Sequence, residues 1–317
     1  MNQPPGPSDE ESKRYLEKLF ADQIDGSCLL TNNSRWGNFR TWRTRVWSQD
    51  RMVLLGDAAH TAHFSVGSGT KMAMEDAVAL AAALDAHPDD VAVLLSAYQE
   101  DRQPQVAKIQ DSARPSLSWW EHFGPYHDAF EPWQFAYHFL TRSITDGQLA
   151  RRDPHFVRVT HDRWRAAHRA DPLQAPISLD GRSHRGRTVR VQAGEGGWLA
   201  ADGGRLRLHG ARPDDAGAWG LWLDAPDRES DLPHAIDRLG RGVADGAALV
   251  AVGGGVSLTR RLLTEQARLG HGAVSLLMAD DFDADDDDAL LDWAQTMVLS
   301  GRTDLVGLTA PSADDGR

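Results

Sequence analysis

Residues 52–77 read Met52-Val53-Leu54-Leu55-Gly56-Asp57-Ala58-Ala59-His60-Thr61-Ala62-His63-Phe64-Ser65-Val66-Gly67-Ser68-Gly69-Thr70-Lys71-Met72-Ala73-Met74-Glu75-Asp76-Ala77. The run Met52–Leu55 is short, apolar and closed by Gly56-Asp57, the pattern of a buried strand that delivers a carboxylate to its carboxyl end. A carboxylate there can accept hydrogen bonds from a ribose or ribitol hydroxyl. Gly67 and Gly69 let the backbone come close to a flat ligand. From Thr70, the residues Met72, Ala73, Met74, Ala77, Leu80, Ala81 and Leu84 recur at helical spacing. The helix they predict aims its first N–H groups at whatever lies above the turn. That end suits an anion or an electron-rich ring oxygen.

Competing motifs fail on order or spacing. Gly69-Thr70-Lys71 is not the Gly-Lys-Ser/Thr order of a phosphate-binding loop, and no G-x-S-x-G elbow is present. Asp57, His60 and His63 lack the paired histidines four residues apart, with a Glu between them, of a zincin helix. No metal site is therefore expected, and His60 reads as a satisfied structural histidine. Further on, Asp281, Asp283, Asp285 and Asp292 have the spacing of a calcium loop. Asp286 stands where such a loop needs Gly, and Asp292 where it needs Glu, so an acidic, solvated loop is expected instead.

The chain has 317 residues, 34 Lys+Arg against 46 Asp+Glu, and a formal net charge of -12. That length suggests two units. An acidic balance argues against a nucleic-acid or anionic-membrane partner, because phosphate surfaces attract basic faces. A single cysteine, Cys28, excludes an internal disulfide framework and a cysteine-cluster zinc site. No signal peptide is visible at Met1–Glu11, and no apolar run approaches the ~18 residues of a membrane span, so a cytoplasmic protein is expected. Residues 1–170 carry 22 acidic and 19 basic side chains, whereas 171–317 carry 24 and 15; seven of the eleven Trp precede residue 170. With Pro172 and Pro176 nearby, a joint near residue 171 is expected.

Around the opening stretch, Ser8-Asp9-Glu10-Glu11 can cap a helix reaching Ile24, and Trp36, Phe39, Trp42 and Trp47 predict a strand over 35–47. Helices are predicted from Val91 to Arg102 and from Pro104 to about Ser112, with 115–170 mostly helical. Beyond 171, short Gly-rich strands lead to Ala247–Gly255, a helix 258–269, a strand 273–278, a helix 289–299 and a strand 304–308. This alternation is that of an α/β unit with parallel strands.

Gly56-Asp57-Ala58-Ala59-His60-Thr61, the Gly-rich turn and Met74-Glu75-Asp76-Ala77 resemble the second flavin-binding motif of single-component FAD-dependent aromatic hydroxylases. His63-Phe64-Ser65-Val66-Gly67-Ser68-Gly69-Thr70-Lys71 is similar to the branch acting on aryl-CoA thioesters, the salicylyl-CoA 5-hydroxylases and anthraniloyl-CoA monooxygenases. The resemblance runs from about Ser8 to His168 and takes in Asn33-Ser34-Arg35-Trp36 and Arg152-Asp153-Pro154-His155. It implies that Gly56, Asp57, Gly67, Gly69, Thr70 and Lys71 hold FAD, with Asp57 on the ribitol. Phe64, Ser65 and His63 would face the aromatic substrate, NAD(P)H would reduce the flavin, and oxygen would supply the hydroxyl group. Members of the family begin with strand–G-x-G-x-x-G–helix, which cradles the FAD pyrophosphate, and no such motif occurs in this chain.

Segments 1–48 (part of the substrate-binding sheet), 49–113 (flavin motif) and 114–170 (helical) are then expected to form a partial monooxygenase fold lacking the N-terminal Rossmann unit. Segment 171–317 resembles the last part of an old-yellow-enzyme-like barrel, so the fold class expected is mixed α/β with a partial (β/α) barrel. In such barrels the ends of the last two strands hold an FMN phosphate. Here they carry Asp280 and Asp281 or Thr309-Ala310-Pro311, and carboxylates repel a phosphate, so FMN is not expected. Two functions follow. One is an aryl-CoA hydroxylase completed by a polypeptide that carries the G-x-G-x-x-G half; the other is a non-catalytic remnant or interaction module derived from such an enzyme.

Overall fold

In the computed structural model, which describes residues 9–31, 40–179, 181–201, 204–214, 217–282 and 287–309, the chain divides into two units, Met1–Arg114 and Pro115–Arg317. The expected edge between segments 49–113 and 114–170 lies next to this division. The break near Asp171 instead falls inside the second unit, because Trp164 and Val157 pack with Leu277 and Val306 of that unit in one core.

In the first unit Asp9 caps α1 (Glu10–Leu19) by accepting the Ser12 N–H at 2.9 Å. The helix predicted to Ile24 breaks at Phe20 into α2 (Ala21–Ile24), which ends on Asp25 in a left-handed conformation. Of the strand predicted over 35–47, residues 40–47 contribute only an isolated Arg43–His60 bridge; Trp36 and Phe39 lie outside the described residues. The Gln103 and Gln110 side chains hold that stretch instead, donating to the Arg45 carbonyl at 2.8 Å and the Trp42 carbonyl at 2.7 Å. The buried strand expected at 52–55 is also absent in that form. β1 (Ser48–Gln49) and β2 (Met52–Val53) make a two-residue antiparallel ladder, and Met52, Leu54 and Leu55 are 68%, 38% and 38% exposed. With β1 its only partner strand among the described residues, β2 has no sheet to enter.

The helix predicted after the Gly-rich turn is present as α3 (Gly69–Ala86). Asp90 caps α4 (Val91–Glu121), accepting the Ala92 and Val93 N–H groups at 3.1 Å each. The two helices predicted on either side of Gln103 are one. Pro104 forfeits an N–H, but Arg102, Gln103 and Gln110 anchor the helix on both sides of it. Trp47, Met72, Leu94, Leu95, Tyr98 and Val106 form the core.

The second unit opens with α5 (Phe123–Ala129), α6 (Pro132–Leu140), α7 (Asp146–Ala150) and α8 (Pro154–His168), which makes the 115–170 stretch helical as expected. A hairpin of β3 (Ile177–Leu179) and β4 (Arg182–His184) follows. The barrel strands are β5 (Thr188–Gln192), β6 (Trp198–Ala201), β7 (Gly204–His209), β8 (Gly220–Asp224), β9 (Leu249–Gly253), β10 (Ser275–Met278) and β11 (Leu305–Thr309). Helices α9 (Leu232–Ala244), α10 (Ser257–Glu265) and α11 (Asp287–Leu299) connect the last four.

These strands close into a ring in the order β10-β11-β5-β6-β7-β8-β9, so the barrel expected to be partial is shut. An antiparallel meander, β5-β6-β7, closes it, while β7 through β11 and back to β5 run parallel. Alternation along β9 explains the two layers of the core. Leu249 and Ala251 fill the interior with Val191, Leu208, Trp222 and Leu276, whereas Val250 and Val252 pack outward with Leu239 and Leu263. Gly253 has no side chain because a Cβ would lie 2.5 Å from the Trp222 ring.

Candidate functional site

Gly56 begins a short 3-10 turn (Gly56–Ala58) with φ +57°, a left-handed value that favours glycine, and an added Cβ would meet the Ala73 Cβ at 3.1 Å. Its N–H donates to Asp76 Oδ2 at 2.9 Å. The turn is thus fastened to α3 while the Asp57 side chain stays exposed. A second 3-10 turn, Phe64–Val66, is capped by His63, whose Nδ1 accepts the Ser65 N–H at 3.2 Å. Phe64 lies beside the His63 ring at 4.2 Å yet remains 71% exposed, and the buried Ser65 Oγ has no hydrogen-bond partner among the described residues. Gly67, at φ +64°, ends this turn. α3 then starts at Gly69 with no side chain capping it, which leaves Gly69, Thr70 and Lys71 to present their N–H groups. The Lys71 ammonium itself is ion-paired to Glu75.

Every expected flavin contact therefore lies on two turns and one helix start, and Asp76 fastens the first of these turns to the helix. That residue is fully buried. Besides Gly56 it accepts from Arg102 Nε at 2.9 Å and bonds His60 Nε2 at 2.7 Å. Burial pushes its carboxyl up, but the Gly56 N–H, Arg102 and His60 outweigh burial and hold it below the usual carboxylate range. His60 is buried and packed on Trp47 at 5.1 Å, but only its Nε2 is bonded; its Nδ1 has no hydrogen-bond partner among the described residues, so the satisfied histidine expected from sequence is half satisfied. The Asp76–Arg102 pair was not expected. Its signal was present, because Asp76 shares one helical stripe with the buried Met72 and Ala83, where a charge needs a partner.

The second unit carries another polar site at the ends of β9 and β10. The Asp280 carboxylate accepts the Gly254 N–H at 2.8 Å and Arg260 Nη1 at 3.2 Å; Asp281 accepts Arg260 Nη2 at 2.5 Å. The backbone amide and buried guanidinium that could cradle a phosphate are thus held by the chain's own carboxylates. Of the calcium-loop positions, Asp283, Asp285 and Asp286 lie outside the described residues. Asp292 accepts Thr145 Oγ1 at 2.6 Å and the Gly147 N–H at 2.8 Å. Among the described residues no cluster of His, Cys, Asp or Glu is arranged to hold a metal, and no helix is long and apolar enough to cross a membrane.

Residues 2–113 match the family model described as an FAD binding domain. The chain is similar to a salicyloyl-CoA 5-hydroxylase from Streptomyces sp., 50% identical over 307 residues that cover 96% of this chain and 57% of that relative. It is 47% identical over 104 residues to a 3-hydroxy-4-methyl-anthranilyl-[aryl-carrier protein] 5-monooxygenase from Streptosporangium sibiricum, covering 33% of this chain and 29% of the relative. Among solved structures, PqsL, a probable FAD-dependent monooxygenase from Pseudomonas aeruginosa, matches 35% of this chain and 32% of its own at 28% identity, with a TM-score of 0.27. The first relative is thus spanned over little more than half its length.

Proposed function

We propose that this chain is part of an FAD-dependent aromatic hydroxylase whose substrate is an aryl thioester of coenzyme A or of a carrier protein, with NAD(P)H as reductant. The observation that carries the proposal is the 50% identity to a salicyloyl-CoA 5-hydroxylase across 96% of the chain. The chain's own residues fit the cofactor. Asp57 is exposed on a turn anchored by Gly56, and its carboxylate would accept from a ribitol hydroxyl. The uncapped start of α3 at Gly69, Thr70 and Lys71 offers N–H groups to the edge of a flavin ring. When bound, the flavin supplies hydride acceptance and oxygen activation. The protein's part is to orient the aromatic ring against Phe64 and Ser65 and to keep water from it, with His63 fixing the Phe64–Val66 turn.

The G-x-G-x-x-G half of the site is proposed to come from another polypeptide segment. Met52, Leu54 and Leu55, and Met74 and Val78 on α3 at 65% and 70% exposure, are exposed apolar side chains that such a segment would cover. That same exposure favours a second reading, a non-catalytic interaction module. The barrel is proposed to descend from an old-yellow-enzyme-like domain that no longer takes FMN, since Asp280 and Asp281 occupy Arg260.

The test is to purify the chain alone and together with a polypeptide carrying the G-x-G-x-x-G half, then measure bound FAD and substrate-dependent NAD(P)H oxidation. The enzyme reading expects yellow protein and substrate-dependent oxidation from the pair. Colourless protein with no oxidation from the pair would leave the interaction module.

A further inference from the structure

Where β5, β10 and β11 begin, at the end of the barrel opposite Asp280 and Asp281, the second unit has a cleft of about 540 Å³. Ile177, Val274 and Val298 give it an apolar wall, and Arg187, Arg268 and Asp304 a charged one. This volume lies in the range of small-molecule sites.

The charges in the wall do not balance. Asp304 is already engaged, with Oδ1 accepting Arg268 Nε at 3.0 Å and Oδ2 accepting the Ser275 N–H and hydroxyl at 3.0 and 3.1 Å. Arg187 is buried, yet among the described residues its guanidinium hydrogen-bonds carbonyl oxygens alone: Ala175 at 2.9 Å, and Asp304 and Pro176 at 3.2 Å each. Three of its five N–H groups are engaged there, and Arg268 engages one further N–H on the Gly301 carbonyl at 3.0 Å. Two guanidiniums thus stand against one carboxylate. The remaining titratable group lining the cleft, His168, is pushed toward its neutral form by burial and by the fields of Arg187 and Arg268, so it does not alter that balance at neutral pH. His168 stacks on Trp164 at 3.8 Å, and the buried Trp164 indole N–H has no hydrogen-bond partner among the described residues.

We propose that this cleft binds a small organic monoanion, a carboxylate carrying an apolar body, with the carboxylate on Arg187 and Arg268 and the body against Ile177 and Val274. A buried cation without a carboxylate partner is costly, and a bound anion relieves that cost through charge-assisted bonds. An apolar wall beside two guanidiniums selects against a bare inorganic ion, which would leave that wall wet. The residues that line this cleft all belong to the second unit and share none with the flavin motif, so the proposal does not depend on the function assigned to that motif.

The experiment is calorimetric titration of the full chain with benzoate, its neutral isostere benzamide, and inorganic phosphate. Saturable binding of benzoate is expected, with benzamide and phosphate each binding about tenfold weaker or worse. Arg268→Gln, which removes the charge but keeps an amide donor, should weaken benzoate by about tenfold or more. Ser178→Trp, at an exposed position lining the cleft, should block binding without touching a charged group. It keeps the test intact should the Arg268 variant fail to fold. Absence of saturable benzoate binding would overturn the proposal. So would benzamide binding as well as benzoate, or benzoate binding unchanged in Ser178→Trp, which would place the anion elsewhere.

Discussion

The Gly56 N–H donates to Asp76 Oδ2 at 2.9 Å, joining the turn that presents Asp57 to the first stretch of the helix that presents Gly69, Thr70 and Lys71. One buried carboxylate therefore sets the spacing of both halves of the candidate flavin site. Asp76→Ala should strip the Gly56 N–H of its acceptor and leave Arg102 with only the half-exposed Glu75 and Gln105, destabilising the protein by up to about 3–5 kcal/mol, the range for breaking a buried pair. Chemical denaturation measures the effect; a midpoint within error of the parent would show that Asp76 does not hold the turn.

Gly56→Ala tests the same joint from the backbone side. At φ +57°, with Ala73 3.1 Å from the new Cβ, the substitution should cost about 1–3 kcal/mol. A stabilised variant, read by the same denaturation curve, would mean that the turn relaxes freely.

Asp57→Ala should behave in the opposite way. Its side chain is exposed and caps nothing within the described residues, so the unfolding midpoint should hold. FAD occupancy of the assembled protein, read from the absorbance of bound flavin, should drop. Unchanged occupancy would remove Asp57 from the ribitol site.

In the second unit, acid should act through His138 and Glu265. Trp119 Nε1 donates to His138 Nδ1 at 2.8 Å, which requires a neutral ring, and burial followed by the charge of Arg302 lowers this histidine to about 4 from 6.5. Between those values the unfolded chain binds a proton that the folded chain does not, so stability falls as pH drops from about 6.5 to about 4. Glu265 is pushed up by burial, but His138, Arg302 and Tyr126 together pull it down to about 2 from 4.5. Its contribution is present above 4.5 and is lost as pH falls toward 2. The combined loss is on the order of a few kcal/mol. Melting curves across this range should show it, and His138→Gln should flatten the upper part. A parent curve flat from pH 6.5 to 4 would contradict the buried neutral histidine.

Removing the carboxylates at the β9–β10 end offers a separate check. Asp280→Ala with Asp281→Ala leaves the buried Arg260 without an anion, and should lower stability by several kcal/mol, with added phosphate recovering part of it. The parent should show no saturable FMN binding by flavin fluorescence. Saturable FMN binding in the parent would mean that these aspartates yield to a phosphate.

Local patterning was enough to place α3, the turn at Gly67, the helical 115–170 region and the alternation β9-α10-β10-α11-β11. Each depends on spacing within a few residues, such as Met72 and Leu80 on the core side of α3 or the Asp57 that follows an apolar run. What sequence could not decide was pairing over distance. Met52–Leu55 reads as a buried strand, but burial needs a neighbouring sheet, and only β1 pairs with it among the described residues. Pro104 reads as a helix boundary, but side chains of Arg102, Gln103 and Gln110 reach other segments and carry α4 through it. The barrel reads as incomplete because β6 and β7 lack the parallel α/β signature. It closes because an antiparallel meander satisfies the same edge hydrogen bonds that missing parallel strands would have left open. Asp76 with Arg102, and Arg187 with Arg268, acquire their meaning only when the fold removes water and leaves each charge to find a partner.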